Sequence, residues 1–372
     1  MKINKLIINN LRNHISSEFE FGSNINLICG KNGAGKTTIL EAISICSISR
    51  TFTSASDSAL INKSAKEYFV SAICKNDLSV PYKISVSFSP KSQKNISSIS
   101  GDKLLPKDII GEIPSVILSP DFKNITNGPP EFRRRFIDTI LSQSNKFYME
   151  QLFKLKKCLK HRNAILQSAK TNPNIDFTYF EQWTEFYIDS CVDILIRRND
   201  FIREFTPFFI NSYNIISNSK EEVSLIYCPN NITKIESKNQ LKEELLLQSR
   251  KMQFAELQRG TTLFGPQKDE LKIILNDGLN NGLARDFASQ GQHKSLLIAL
   301  KFAEFKYLIE KKRETPVILL DDIFSELDAS RVLSVLELLE KSDAQIFITS
   351  TDPNLIPQES NLKRKTIEIN NS

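Results

Sequence analysis

The chain has 372 residues, 40% hydrophobic and 25% charged, which is enough for a packed core and about two domains, or one domain with a large insertion. No apolar run approaches the ~18 residues of a membrane span, the six cysteines form no C-x-x-C pair, and three histidines leave little room for histidine-based metal or triad chemistry. The formal net charge is +6, and the stretch from Glu131 to Lys170 holds ten Lys/Arg against three Asp/Glu, so the surplus is local, as a footprint for phosphate backbones would be.

The N-terminal "MKINKLIINNLRNH" alternates like a strand and lacks a signal-peptide core, so a soluble, cytosolic protein with reduced thiols is expected. Strands are expected at 2–8, 18–28, 69–75 and 82–88, with "SVILSP" (Ser115–Pro120) as a short buried strand and the Ser/Thr-rich 50–66 as a loop or short helix. Between the first two pairs lies "LICGKNGAGKTTILEAI" (Leu27–Ile43). Ile25, Leu27 and Ile28 read as strand, and Ile39, Leu40, Ala42 and Ile43 recur at helical spacing. Gly30, Gly35, Lys36 and Thr37 match G-x-x-x-x-G-K-[ST] in that strand–turn–helix context, which is what a phosphate loop requires. The backbone of Gly30, Lys31, Asn32, Gly33, Ala34, Gly35, Lys36, Thr37 and Thr38 then curls around phosphates, assisted by the helix N-terminus. Lys36 reaches the β- and γ-phosphates of ATP, and the Thr37 hydroxyl ligates Mg²⁺.

From Pro129 to about Ser217 the pattern is helical. Leu152, Leu155, Leu159 and Leu166 form one stripe, and Tyr179, Phe180, Trp183 and Phe186 begin a second. "PNN" at 229–231 breaks the pattern and Leu241–Leu257 resumes it. The expected organisation is an N-terminal lobe over 1–128, an inserted helical arm over 129–258 and a C-terminal lobe over 259–372.

In that last part "ELKIILNDGLN" (Glu270–Asn280) carries an Asp-Gly hairpin signal, and a helix of about 20 residues follows Gly291. "PVILL" (Pro316–Leu320) reads as a buried parallel strand, followed by a helix over 328–341 and the strand "QIFITS" (Gln345–Ser350). The buried strand ends in Asp321, placed to hold Mg²⁺, and Asp322, placed to hold or activate a water. Ser289, Gln290 and Gly291 lead into a helix whose N-terminus is a second anion site.

The order of phosphate loop, helical insertion, S-x-G-Q, helix, acidic strand end and S-x-L-D resembles ATPases of the ABC type, in the branch that includes SMC and DNA-repair proteins. The expected fold is therefore α/β, an ABC-type P-loop ATPase head with an inserted helical arm domain. Ser289–Gln292 is similar to the signature "SGGQ", with Gln290 in place of the first glycine, and Ser325–Asp328, "SELD", is similar to the D-loop. More narrowly, the chain resembles the RecF family of bacterial recombination mediators over nearly its whole length. The resemblance is carried by "NNLRNH" (Asn9–His14), "PDFKNITNGPPEFRRRFID" (Pro120–Asp138), "TTLFGPQKDEL" (Thr261–Leu271) and "LLDDIFSELDASR" (Leu319–Arg331).

The resemblance implies two subunits sandwiching two ATP molecules. Ser289, Gly291 and Gln292 of one subunit would complete the site at Lys36 of the other, Ser325 and Asp328 would lie at the dimer contact, and Arg12 would join the nucleotide-binding set. It implies DNA as second ligand, with Arg133, Arg134, Lys156, Lys157 and Lys160 as candidate contacts, the first two equally readable as structural. It implies RecR, RecO and RecA as partners. Three departures predict slow hydrolysis with nucleotide binding intact. Gln267 and Lys268 replace the family's usual His-Arg. Ser350 and Thr351 stand where transporter ATPases carry a switch histidine. No Q-loop glutamine follows "SVILSP", where Asp121 is the nearest polar residue. Two other classes remain open on the residues: a transporter ATPase subunit, and a clamp that binds ATP without hydrolysing it.

Overall fold

The computed structural model describes residues 1–171, 177–217, 221–324, 327–353 and 363–369. They fall into two compact units: Met1–Lys123 with Ser212–Ser219 and Lys294–Ser372, and Asn124–Asn211 with Lys220–His293.

The chain opens with strands β1 (Lys2–Leu11), β2 (His14–Glu20) and β3 (Ile25–Gly30), then helices α1 (Lys36–Ile48) and α2 (Asp57–Leu60). Strands β4 (Tyr68–Lys75), β5 (Pro81–Ser89), β6 (Gln93–Ser97) and β7 (Lys103–Leu104), helix α3 (Pro106–Ile109) and strand β8 (Ser115–Leu118) complete this part. The second unit contains helices α4 (Asn124–Asn127), α5 (Pro130–Ser144), α6 (Lys146–Thr171) and most of α7 (Phe177–Ser217), then β9 (Glu222–Cys228) and α8 (Lys238–Arg259). It continues with β10 (Glu270–Asn276), β11 (Asn281–Leu283), α9 (Ala284–Phe287) and the start of α10 (Gln290–Lys312). The first unit resumes along α10 and closes with β12 (Val317–Asp321), α11 (Ala329–Glu340), β13 (Ile346–Ser350) and β14 (Arg364–Ile369).

Two sheets make the first unit. One is antiparallel in the order β2-β1-β4-β5-β6-β7; the other is parallel in the order β14-β3-β13-β12-β8. Helix α1 shares one hydrophobic cluster with both: Ile39, Leu40 and Ile43 sit in it with Leu6, Ile8 and Val70 of the first sheet and Leu319 and Phe347 of the second. The helix is buried on nearly every side, and its buried polar groups such as Glu41 and Ser47 are hydrogen-bonded, as this position demands. Each such fully buried Ile or Leu stabilises the unit by about 1.5–3 kcal/mol. β12 and β13 read as nearly continuous apolar runs because both faces are covered, and both are buried at every residue, whereas the edge strand β14 is polar and partly exposed.

The structure departs from the sequence reading at several places. The strand expected over 18–28 is two strands in different sheets. Asn26 holds the corner between them, accepting from the Gly22 N–H at 2.7 Å and donating back to the Gly22 carbonyl at 3.0 Å. The second unit runs past the boundary expected at 258, to His293, because β10 pairs antiparallel with β9, with Tyr227 opposite Leu271. The Asp277-Gly278 hairpin is present: Gly278 has φ 83, and β10 pairs with β11. The stripe of Leu152, Leu155 and Leu166 is buried. The second stripe is mixed: Phe180 is buried, whereas Tyr179 and Phe186 are 47% and 53% exposed, so its aromatics are shared between core and surface.

Candidate nucleotide-binding and catalytic site

In the first unit the phosphate loop follows β3 and Asp321 ends β12, with β13 between those two strands. Both therefore emerge at the carboxyl ends of parallel strands of one sheet, where α/β sheets bind ligands. Gly35 caps α1 with φ 98, and a Cβ there would meet His14 Nε2 at 2.6 Å, so the position requires glycine on two counts.

"NNLRNH" braces this loop. Asn13 Nδ2 donates to the Gly33 carbonyl at 2.7 Å. His14 Nε2 faces the Gly35 carbonyl at 3.2 Å, and its Nδ1 faces Ser17 Oγ at 2.8 Å. Burial lowers the His14 pKa, which favours the neutral ring. In a trans peptide the C=O and the following N–H point opposite ways, so holding the Gly35 carbonyl on the His14 side turns the Lys36 N–H to the other. Arg12 precedes this brace, and its guanidinium is held by the fully buried Glu41 of α1, with Nε–Oε2 2.5 Å and Nη2–Oε1 2.7 Å. Thr51 and Thr53 donate to the same Glu41 carboxylate.

The buried Lys36 ammonium donates to the carbonyls of Gly30 at 2.7 Å and Lys31 at 3.0 Å. Thr37 Oγ1 donates to Asp321 Oδ1 at 2.8 Å, and Thr349 Oγ1 donates to the same oxygen at 2.8 Å. Burial pushes the Asp321 carboxyl pKa up, opposed by these two hydroxyl bonds, and the neighbouring acids Asp322 and Glu41 push it further up. This arrangement fits Mg²⁺. Thr37 directs its single proton to the carboxylate and keeps its lone pairs for a hard cation, and a cation would favour the carboxylate form that burial disfavours. Among the described residues no cluster of three or more His, Cys, Asp or Glu could hold a metal by itself, so phosphate and water oxygens would complete the shell.

Asp322 is solvent-facing, with φ 49, and its N–H donates to Thr349 Oγ1 at 2.9 Å. The residue proposed to act on water is thus adjacent to the residue proposed to hold the cation.

Ser289, in the second unit, is exposed and caps α10. The cap is reciprocal: the Ser289 N–H donates to Gln292 Oε1 at 2.7 Å, and the Gln292 N–H donates to Ser289 Oγ at 3.2 Å. Gly291 lies in the first turn, and Gln292 Nε2 also donates to Glu221 at 2.8 Å. Ser325 lies outside the described residues. Asp328 caps α11, accepting from the Arg331 N–H at 3.0 Å and pairing with the Arg331 guanidinium, which reaches Ser295 Oγ at 2.9 Å.

The basic segment requires correction. Arg133 is 3% exposed, pairs through two nitrogens with Glu270 at 2.7 and 2.9 Å, and donates to the carbonyls of Ile125 and Gly128. Buried and engaged by these partners, its guanidinium sits where the structural reading of this residue would place it, and removing it would leave the Glu270 carboxylate without its main partner. Arg134 is half-buried and donates to the Asp269 carbonyl at 2.7 Å. Arg162, another of the ten cations, is buried against Glu256, also buried, at 2.7 Å. Lys156, Lys157 and Lys160 stand exposed on α6. Gln267 is likewise structural: it donates to the Phe264 carbonyl at 2.6 Å and accepts from the Tyr187 hydroxyl at 2.7 Å, while Lys268 is exposed. Asp121 lies exposed in a 3₁₀ turn over Pro120–Lys123.

Sequence reasoning missed Asn13, His14, Glu41 and Thr349. The first two lie in the motif "NNLRNH" and Glu41 follows Thr37 by one helical turn, so spacing could have flagged them; nothing in "QIFITS" marks Thr349.

The chain matches the family model described as RecF/RecN/SMC N terminal domain over residues 2–371. It is 36% identical to the DNA replication and repair protein RecF of Chlorobium phaeovibrioides, over 95% of this chain and 94% of that one. It is also 36% identical to RecF of Chloroherpeton thalassium, over 95% of each. Among solved structures it is similar to that of the recombination mediator protein RecF–ATPrS in the RecFOR pathway, with 28% identity, TM-score 0.89, and 99% and 96% of the two chains covered. An SMC head bound to the C-terminal winged-helix domain of ScpA, at 15% identity and TM-score 0.54, shares the fold alone. With a family model spanning nearly every residue and curated relatives above one-third identity end to end, the chain belongs to the RecF family of DNA replication and repair proteins, built on an SMC-type ATPase head.

Proposed function

We propose that this protein is a nucleotide-gated DNA-binding protein of recombinational repair: two copies close on DNA around ATP and Mg²⁺, and slow, DNA-stimulated hydrolysis releases them. The observation that carries the reading is the contact of Thr37 with Asp321 at 2.8 Å, which joins the phosphate loop to the acidic strand end. Lys36 and the loop N–H groups bind the β- and γ-phosphates, and Thr37 and Asp321 would hold the cation, which would neutralise charge developing on the phosphate oxygens. Arg12, beside the loop, belongs to the same nucleotide-binding set. Asp322 orients and deprotonates water. Ser289, Gly291 and Gln292 of a second copy meet the γ-phosphate, with Ser325 and Asp328 at the same contact. ADP lacks the group that bridges the two copies, so nucleotide identity becomes a bias on association. With RecR, RecO and RecA as the partners implied by the resemblance, this cycle serves the loading of recombinase on gapped DNA. The domain limits proposed at 1–128, 129–258 and 259–372 are modified: the arm begins near Asn124 and extends to His293, so that β10, β11, α9 and the start of α10 belong with it. The transporter reading is set aside by membership of the family.

Asp322→Asn removes a carboxylate with almost no change of volume. ATP binding and ATP-dependent association are expected to persist while single-turnover phosphate release falls at least about 100-fold, the lower end of the range for losing a general base. Release at the parental rate would assign the water to another group, and no release from the parent would favour a clamp that never hydrolyses.

DNA binding is proposed to run through the exposed lysines of α6. Replacing Lys156, Lys157 and Lys160 together with Ala should weaken binding and reduce the slope of log K against log salt by about 0.9 for each phosphate no longer neutralised. Arg133→Ala should leave that slope unchanged and instead cost about 1–3 kcal/mol of stability. The reverse pattern, read by fluorescence anisotropy over a salt series and by thermal melting, would move the DNA surface elsewhere.

A further inference from the structure

Thr349 is the fourth residue of β13, 1% exposed, and stands opposite Asp321 in the β12–β13 register. Its oxygen is 2.8 Å from Asp321 Oδ1 and 2.9 Å from the Asp322 backbone nitrogen. An amide N–H can only donate, so the hydroxyl accepts there and spends its single proton on the carboxylate. The bonds therefore run one way, from Asp322 N–H through Thr349 to Asp321. Asp321 Oδ1 receives the Thr37 hydroxyl as well, so the phosphate loop, the cation-holding acid and the backbone of the next acid form one connected set.

The second observation is conformational. Asp322 has φ 49, in the left-handed region that an L-residue occupies when its surroundings hold it there. In extended conformation the residue would prolong β12 and point its carboxylate elsewhere. The bond to Thr349 fixes the peptide that precedes the Asp322 Cα and so helps set the direction of its side chain. The neighbouring hydroxyl is engaged differently, since Ser350 Oγ accepts from the Asp352 N–H at 3.0 Å, in the turn that follows.

We propose that Thr349 is the positioning residue for hydrolysis, coupling Asp321 to the backbone of Asp322 so that the second acid is aimed at the water. The proposal rests on the reading of Asp322 as the acid that acts on water. Thr349→Val keeps the branched shape and buried volume but removes the hydroxyl; Thr349→Ser keeps the hydroxyl.

The test compares both variants with Asp322→Asn and with the double variant Thr349→Val/Asp322→Asn. It measures kcat, KM, equilibrium ATP affinity and hydrogen exchange of the Asp322 amide. Thr349→Val should lower kcat about tenfold, the scale of one lost hydrogen bond at a catalytic group, with KM and ATP affinity within about twofold of the parent. Thr349→Ser should recover the parental kcat. The double variant should be no slower than Asp322→Asn alone, and the Asp322 amide should exchange faster in Thr349→Val but not in Thr349→Ser. Parental kcat in Thr349→Val, beside a slow Asp322→Asn, would overturn this proposal alone. An equal loss from Thr349→Val in the Asp322→Asn background would also overturn it, since Thr349 would then act independently. Parental kcat in Asp322→Asn would overturn the reading of Asp322 and this proposal with it.

Discussion

Ser289→Arg is expected to bind ATP as a monomer and to lose both ATP-dependent association and hydrolysis. Ser289 is exposed at the start of α10, and its hydroxyl takes part in a reciprocal cap with Gln292. Loss of that cap costs about 1 kcal/mol, too little to unfold the protein. The larger effect is bulk and charge where the γ-phosphate of another copy would arrive. Because the two halves of a composite site come from different chains, mixing Ser289→Arg with Lys36→Ala should restore partial hydrolysis. One site in the mixed dimer would combine the intact Lys36 of one chain with the intact Ser289 of the other. Phosphate release from each variant and from the mixture is the measurement. A Ser289→Arg dimer as tight as the parent's would remove the trans contact from the account.

Lys36→Ala is expected to reduce ATP affinity by at least about 2 kcal/mol, about 30-fold, the scale of removing a charged hydrogen-bonding partner. The ammonium lies at the phosphate loop with Gly30 and Lys31 carbonyls as its partners, so the substitution frees two acceptors on a partly exposed loop and leaves the core untouched. Stability should therefore change little while binding falls, and titration with a fluorescent ATP analogue beside a thermal melt separates the two. Unchanged affinity would withdraw the phosphate-loop assignment.

The parts of this molecule that were legible in its sequence are those fixed by local geometry. Gly35 must be glycine because its φ is 98 and His14 fills the Cβ position, so the motif is a record of backbone shape. The buried strand ending in Asp321 was readable for the same kind of reason, since a parallel strand covered on both faces has no polar alternation to interrupt it. Long-range partners were not legible. Arg133 was equally readable as a DNA contact or as structural, because its carboxylate, Glu270, lies 137 residues away. The pairing of β9 with β10 moved a domain limit for that reason too: neither strand states its partner. Thr349 looks like any β-branched residue in a buried strand, and its use emerges only when register sets it opposite Asp321.

In the proposed cycle the γ-phosphate joins two copies of this chain. The direct test is the molar mass in solution, by light scattering, with ATP, with ADP and without nucleotide, repeated in the presence of DNA. A dimer is expected with ATP, strengthened by DNA, and monomers with ADP or no nucleotide. A monomer under all conditions, or a dimer of equal strength with ADP, would contradict it.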